Sequence, residues 1–314
     1  MAADLDSAAM GEGTAAEPPL PPAELISAVG HGTGSDAGYA YLVFGEDHKA
    51  TIADLLGPGW DWSGKRVLDF GCGSGRLLRH LLAEAEVAEI HGCDISAEMV
   101  AWVDRNLRPP IASALVNAPS PPLSYPDAHF DLVTAISIFT HIADGWSDWL
   151  LEMHRILKPG GILIATFMDS CCAAALGPLP WDEERVGMSS FGFADPEMSW
   201  PNVLHSQWWL REHWGRAFEI DRLVAGKEVS DEGGAVTPTQ GWAVLRRREV
   251  ALAPADLERE DPADDRYREA RRYQLELLRA EGEELKRRHR RLAGGASRRI
   301  TALLRRAKAL LSRR

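Results

Sequence analysis

Two short runs of this chain hold residues whose types and spacing suit chemistry. Val67-Leu68-Asp69-Phe70 runs straight into Gly71-Cys72-Gly73-Ser74-Gly75-Arg76, and Gly92-Cys93-Asp94-Ile95 follows about 20 residues later. Glycine permits backbone conformations and close ligand approach that a β-carbon blocks, and a helix over residues 77–82 would offer free N–H groups to an anion. A carboxylate placed like Asp94 accepts from both hydroxyls of a ribose, so the pair points to a nucleoside cofactor without saying which one. The glycine spacing is GxGxG, not the GxGxxG of dinucleotide enzymes, and no GxxxxGK[ST] is present for a nucleoside triphosphate. His141, in Phe139-Thr140-His141-Ile142, is the first choice for a general base acting on a weakly acidic hydroxyl, and His205, in Leu204-His205-Ser206, is the second. A packing or capping role competes with each assignment. His154 is expected at the surface. No Cys/His group has zinc spacing, so no metal is expected.

The elements that must position these residues follow from hydrophobic patterning. Short apolar runs at residues 66–70, 90–93, 114–116, 132–136 and 162–167 alternate with helical stretches, the pattern of a parallel sheet with crossover helices on both faces. Ligands on such sheets sit at the carboxyl ends of the strands. Strand-like segments at 218–223 and 242–245 would add an antiparallel hairpin. Ahead of the sheet, residues 1–22 read as a disordered leader and 23–59 as a helical cap or lid containing a second helix from about residue 46 to 56. The main domain is expected over 60–250 and a charged helical tail over 251–314.

Taken together, VLDFGCGSGR, GCDIS, FDLV and LKPGG resemble the class I S-adenosylmethionine-dependent methyltransferases over roughly residues 60–248. The resemblance implies a Rossmann-like, seven-stranded, mostly parallel α/β sheet with helices on both faces, followed here by the α-helical extension. It implies that Asp69, Gly71, Cys72, Gly73 and Gly75 surround the methionine part of S-adenosylmethionine, with Cys72 acting through backbone and shape. It places Asp94 on the ribose, Ile95 against the adenine, and Ile136 and Ser137 toward the methyl donor, near which His141 would lie. Asn117, with Ala118 beside it, stands where many members carry an acidic residue near the adenine amino group; an amide oxygen can still accept there. A looser likeness, through WDWSGKRVLDFGCGSGR, ISIFTHI, WSDWLLEMHRILKPGG and QGWAVLRRR, is to bacterial methyltransferases found with glycosyltransferases in polysaccharide and glycolipid pathways. The expected activity is therefore O-methylation of a sugar, glycan or other small hydroxylated acceptor. A non-catalytic cofactor-binding scaffold is the alternative, and a nicotinamide oxidoreductase a distant third. A segment at 170–215 rich in Trp (Trp181, Trp200, Trp208, Trp209, Trp214) could offer flat faces to a sugar or simply pack.

Composition limits the partners. The 314 residues carry 46 acidic and 35 basic side chains, a formal charge of −11. The 18 basic and 11 acidic residues from Ala255 onward leave the preceding body more acidic still, at −18, which disfavours nucleic acid as a substrate because that affinity rests on cations. No apolar run of membrane-spanning length occurs, the first twenty positions lack Lys and Arg, and the four cysteines read as reduced thiols, so a cytoplasmic protein is expected. In the tail, Leu278, Leu285 and Leu292 are seven apart, a short coiled-coil signal, though a solvated helix is the first expectation. Residues 297–314 set Ile300, Leu303, Leu304, Ala307, Leu310 and Leu311 opposite Arg and Lys, which suits peripheral attachment to an anionic membrane face. Docking on a partner, or folding back on the acidic body, are the rivals.

Overall fold

The structure is a computed structural model that describes residues 17–29, 36–176, 179–192, 200–230, 236–291 and 304–309. Its chain begins with α1 (Ala23–Ala28) and α2 (Ala37–Leu56). There follow β1 (Arg66–Phe70), β2 (Glu89–Asp94), α3 (Ala97–Asn106), β3 (Ser113–Val116), β4 (Phe130–Ala135), α4 (Trp146–Ile156) and β5 (Leu157–Phe167). After α5 (Ser170–Leu176) come β6 (Ser189–Phe191), β7 (Asn202–Leu204), α6 (Gln207–His213), β8 (Phe218–Val224), β9 (Glu228–Ser230), β10 (Val236–Pro238), β11 (Gly241–Arg247), α7 (Pro254–Glu258) and α8 (Asp265–Arg291).

Seven strands form one sheet in the order β3-β2-β1-β4-β5-β11-β8. The first five are parallel, and β11 lies antiparallel to both its neighbours. This is the expected mostly parallel α/β sheet. Strand order reverses between β1 and β4, so the carboxyl ends of these two strands open the crevice where such sheets bind ligands. Alternation along each strand fills both faces: Leu68, Val133, Leu163 and Leu245 join one core, Val67, Leu132, Ile164 and Val244 the other. Trp149, Leu150, Trp214 and Phe218 complete the first core, while Ile52 of α2 and Val103 of α3 close the second.

Three departures from the sequence-based expectations have physical causes. The helix expected at 77–82 is replaced by 3-10 turns at Leu78–His80 and Glu84–Glu86. There α2 packs directly on the turns: Gly45 lies against the Arg76 oxygen with no room for a side chain, and Lys49 Nζ donates to the His80 oxygen at 2.7 Å. The helix expected from about residue 46 instead begins at Ala37, with Tyr41 fully buried on its inner side.

The tail helix is the third departure. Instead of standing in solvent, α8 packs on the body: Tyr273 and Leu277 share a core with Met168, Cys172, Phe191 and Leu204. Gln274 behaves as an extra strand residue, its Oε1 accepting from Ser190 N at 2.7 Å and its Nε2 donating to Ser190 O at 2.8 Å. Leu278 and Leu285, the start of the coiled-coil signal, are buried on this same side, and Leu292 lies outside the described residues. Most of the leader and of residues 297–314 also lie outside them. Within 304–309, Arg306 pairs with Asp144 at 2.7 Å and donates to Ser190 Oγ at 3.2 Å, while Leu304 is 66% exposed.

Candidate functional site

The glycine turn after β1 is bolted to the end of β2. Cys93 O accepts from Gly71 N at 2.8 Å and from Cys72 N at 3.0 Å, and Gly73 N donates to Asp94 Oδ2 at 2.8 Å. The other oxygen of Asp94 accepts from Ser96 N at 2.8 Å, while Ser96 Oγ caps α3. Asp94 is thus fixed by one backbone N–H per oxygen, and each oxygen keeps acceptor capacity for a further donor. Ile95 and Val116, 43% and 54% exposed, flank it as an apolar rim.

Gly71, Gly73 and Gly75 all have positive φ, at +77°, +53° and +83°, but they face different neighbours. A β-carbon on Gly71 would overlap Ile138 Cδ1, and one on Gly73 would fall 2.8 Å from Val29 Cγ1. Gly75 lets the end of α3 approach, since its β-carbon would meet Leu107 Cδ1 at 2.6 Å. Cys72 is buried against Gly92, and burial together with Asp69 and Asp94 pushes its thiol well above its ordinary pKa, which removes thiolate chemistry.

Asp69 sits beneath the turn, 4% exposed, and accepts from Thr134 Oγ1 at 2.8 Å. Burial pushes its carboxyl up to about 6; the Thr134 bond and the Arg76 charge pull the other way, and Asp94 adds a further push. Arg76 in turn donates to Val29 O at 3.2 Å. Asn117 N donates to Asp94 O at 3.0 Å, and its Nδ2 donates to the oxygen of exposed Ala118 at 2.8 Å. That bond fixes the amide orientation and leaves Asn117 Oδ1 buried without a partner. Ile136 is buried at the end of β4, and Ser137 follows it in the left-handed region at φ +59°. Its N donates to Thr166 Oγ1 at 2.7 Å and its Oγ accepts from Gln240 Nε2 at 2.9 Å.

His141 belongs to the same neighbourhood. Its N donates to the oxygen of Ile138, the residue lying over Gly71, at 2.9 Å. Its Nδ1 is 2.9 Å from the carbonyl of Pro201. A carbonyl only accepts, so Nδ1 carries the proton and Nε2 holds the free lone pair of a base. Burial lowers its pKa, with the Pro201 bond partly opposing, so it is neutral near pH 7.

His205 is a core side chain. It is 1% exposed, its ring centroid lies 5.4 and 5.7 Å from those of Trp209 and Trp214, and burial lowers its pKa to about 3. The structure does not bring it to the glycine turn. His154 is likewise buried rather than at the surface, its Nε2 donating to Arg248 O at 2.8 Å. Four of the five insertion tryptophans pack: Trp209 and Trp214 in the core, Trp181 on Tyr273, and Trp208 beneath the guanidinium of Arg266. Trp200 alone of the five is largely exposed, at 54%.

Several residues that shape this site carried no sequence signal for it: Val29, Tyr41, Pro201 and Gln240 come from distant segments and meet it only through the fold, while Ile138 stands beside the expected Ser137. Thr134 did carry one, as a polar side chain inside an otherwise buried strand. A cavity of about 510 Å³ lies at the opposite, amino end of the sheet, lined by Lys65, Arg66, Glu89 and Lys158 among others.

Residues 68–165 match the family model described as a methyltransferase domain. Among similar proteins, malonyl-[acyl-carrier protein] O-methyltransferase of Halorhodospira halophila is 35% identical over 112 residues, covering 33% of this chain and 35% of that one. The 27-O-demethylrifamycin SV methyltransferase of Amycolatopsis mediterranei is 35% identical over 127 residues, covering 40% and 45%. Demethylmenaquinone methyltransferase of Thermus thermophilus is 35% identical over 101 residues, covering 32% and 46%. The chain thus spans less than half the length of these curated relatives. Of solved structures, a putative S-adenosylmethionine dependent methyltransferase from Listeria monocytogenes aligns over 66% of this chain and all of that one, at 18% identity and a TM-score of 0.48. The matched stretch, which holds the glycine turn and Asp94, is thus similar to a methyltransferase domain.

Proposed function

We propose that this protein is an S-adenosylmethionine-dependent methyltransferase acting on an oxygen of a small-molecule acceptor. The observation that carries the reading is the 2.8 Å bond from Gly73 N to Asp94 Oδ2, which holds the ribose-accepting carboxylate against the glycine turn. The residues fit the cofactor: Asp94 retains acceptor capacity, the Ile95 and Val116 rim is apolar, and the buried Asn117 Oδ1 awaits a donor such as an amino group. When bound, S-adenosylmethionine supplies an electrophilic methyl group on a sulfonium. Asp94 would hold the sugar, Asp69 and Arg76 set the charge beneath the turn, and Ile138 lies over Gly71. His141, neutral and with Nε2 unprotonated, takes the acceptor proton as general base.

The acceptor is proposed no more finely than a small molecule with a reactive oxygen. The relatives are named for malonyl-[acyl-carrier protein], a rifamycin and a menaquinone, none of them a sugar, and the packing of four tryptophans removes most of the platform on which a glycan reading rested. Peripheral contact of residues 297–314 with an anionic bilayer face is part of the proposal, resting on their charge. Among the described residues no helix is long and apolar enough to cross a membrane. Flotation with anionic vesicles tests that contact, and recovery wholly in the soluble fraction removes it.

Calorimetric titration with S-adenosylhomocysteine, run beside NAD⁺, tests the main reading. One saturable site for the former and none for the latter is expected; heat from NAD⁺ alone would overturn it.

A further inference from the structure

We propose that Val29 and Tyr41, both supplied by the segment ahead of the sheet, belong to the cofactor site. Val29 is the wall that closes over Gly73, and Tyr41 is a positioning residue that holds the glycine turn by the Ser74 carbonyl. This rests on reading the turn and Asp94 as an S-adenosylmethionine site.

Val29 Cγ1 would be 2.8 Å from a β-carbon on Gly73, the one residue of the turn whose N–H is given to Asp94. Val29, partly buried against the second core, thus stands beside the residue that a nucleoside spanning from the turn to that carboxylate would pass. Val29 itself is tied to the same turn, because Arg76 Nη1 donates to Val29 O at 3.2 Å. In α2, Tyr41 is fully buried, and its hydroxyl donates to the oxygen of Ser74, the residue after Gly73, at 2.9 Å while Ser74 Oγ donates back at 3.4 Å. Ser74 lies between Gly73 and Gly75, so these bonds fix the carbonyl in the middle of a turn whose glycines would otherwise leave it free to rotate.

The attachment extends beyond these contacts. Lys49 Nζ reaches His80 O at 2.7 Å and Glu84 at 2.7 Å, and Arg79 donates to the carbonyls of Pro18 and Pro19 at 2.8 and 3.2 Å. Of these bonds, the one from Tyr41 ends on a carbonyl of the glycine turn itself and the one from Arg76 starts within it, so the segment is seated on the turn and not only on the residues that follow it. The segment ahead of the sheet is the second half of the cofactor site, facing the half built from the strand ends.

The test compares S-adenosylhomocysteine binding to the full-length wild type, Val29→Ala, Tyr41→Phe and Tyr39→Phe, the last altering a side chain 73% exposed on the same helix. Dissociation constant, dissociation rate and the melting temperature of ligand-free protein are read for each. Val29→Ala is expected to weaken binding roughly 5- to 10-fold through lost apolar contact, mostly by faster dissociation. Tyr41→Phe should weaken it about 3- to 10-fold, the range of one lost hydrogen bond. Tyr39→Phe should match the wild type. Wild-type affinity and dissociation rate in both Val29→Ala and Tyr41→Phe, even with a lowered melting temperature, would show a purely structural role and overturn the proposal alone. Absence of binding by the wild type would overturn the cofactor reading and this proposal with it.

Discussion

Replacing Thr134 by Val probes the charge state of Asp69 without changing shape. Thr134 is 2% exposed, and its hydroxyl donates to Asp69 Oδ1 at 2.8 Å. The Asp69 carboxyl titrates at about 6 instead of 3.8, chiefly because it is buried. The fold therefore favours the protonated form, and the stability this group contributes falls as pH rises from about 4 to about 6, then levels off. At pH 5 the lost bond is one to a mostly neutral carboxyl and should cost about 1 kcal/mol; at pH 8 it is one to a carboxylate and should cost about 2 to 3 kcal/mol. The difference corresponds to a rise of about one pKa unit in Asp69, which extends the pH-dependent loss of stability to about pH 7 in the variant. Urea unfolding of wild type and Thr134→Val at both pH values measures this directly. An equal cost at pH 5 and pH 8 would refute the reasoning, because it would mean Asp69 does not change charge between them.

Other substitutions separate site from scaffold. Gly75→Ala combines a φ of +83° with a β-carbon 2.6 Å from Leu107 Cδ1, so urea unfolding should show a loss of about 2 to 4 kcal/mol; a loss below about 1 kcal/mol would contradict the packing role given to this glycine. His141→Gln should lower transfer of labelled methyl groups into an extract of the source organism by about 10²- to 10⁴-fold while leaving S-adenosylhomocysteine affinity unchanged. In the wild type the same transfer should fall as pH drops below the lowered pKa of His141. His205→Phe should keep stability within about 1.5 kcal/mol and leave transfer intact, because a neutral side chain caged by Trp209 and Trp214 is replaced by an apolar one; loss of transfer with binding preserved would return His205 to the chemistry.

What could be read from the sequence was what depends on neighbours along the chain. The strand, glycine turn and Asp94 are encoded by alternation and spacing within about 30 residues, and all form as expected. The helix after the turn was not legible as absent, because its loss goes with the close packing of α2, where Gly45 meets the Arg76 oxygen and Lys49 bonds the His80 carbonyl. The tail helix is heavily charged, and that charge masked a buried stripe of Tyr267, Gln274, Leu278 and Leu285 spaced along one face of the helix. His141 and His205 look alike in sequence. One meets a carbonyl 60 positions away and the other a cage of indoles, and those partners, not the local residues, decide which can act as a base.

The most direct measurement of the central claim is the structure of this protein crystallised with S-adenosylhomocysteine. The expected complex has the ribose hydroxyls on Asp94, the adenine against Ile95 near Asn117, and the sulfur beside Gly71 on the side facing His141. A nucleoside bound elsewhere, such as the cavity lined by Lys65, Arg66 and Lys158 at the amino end of the sheet, would contradict it.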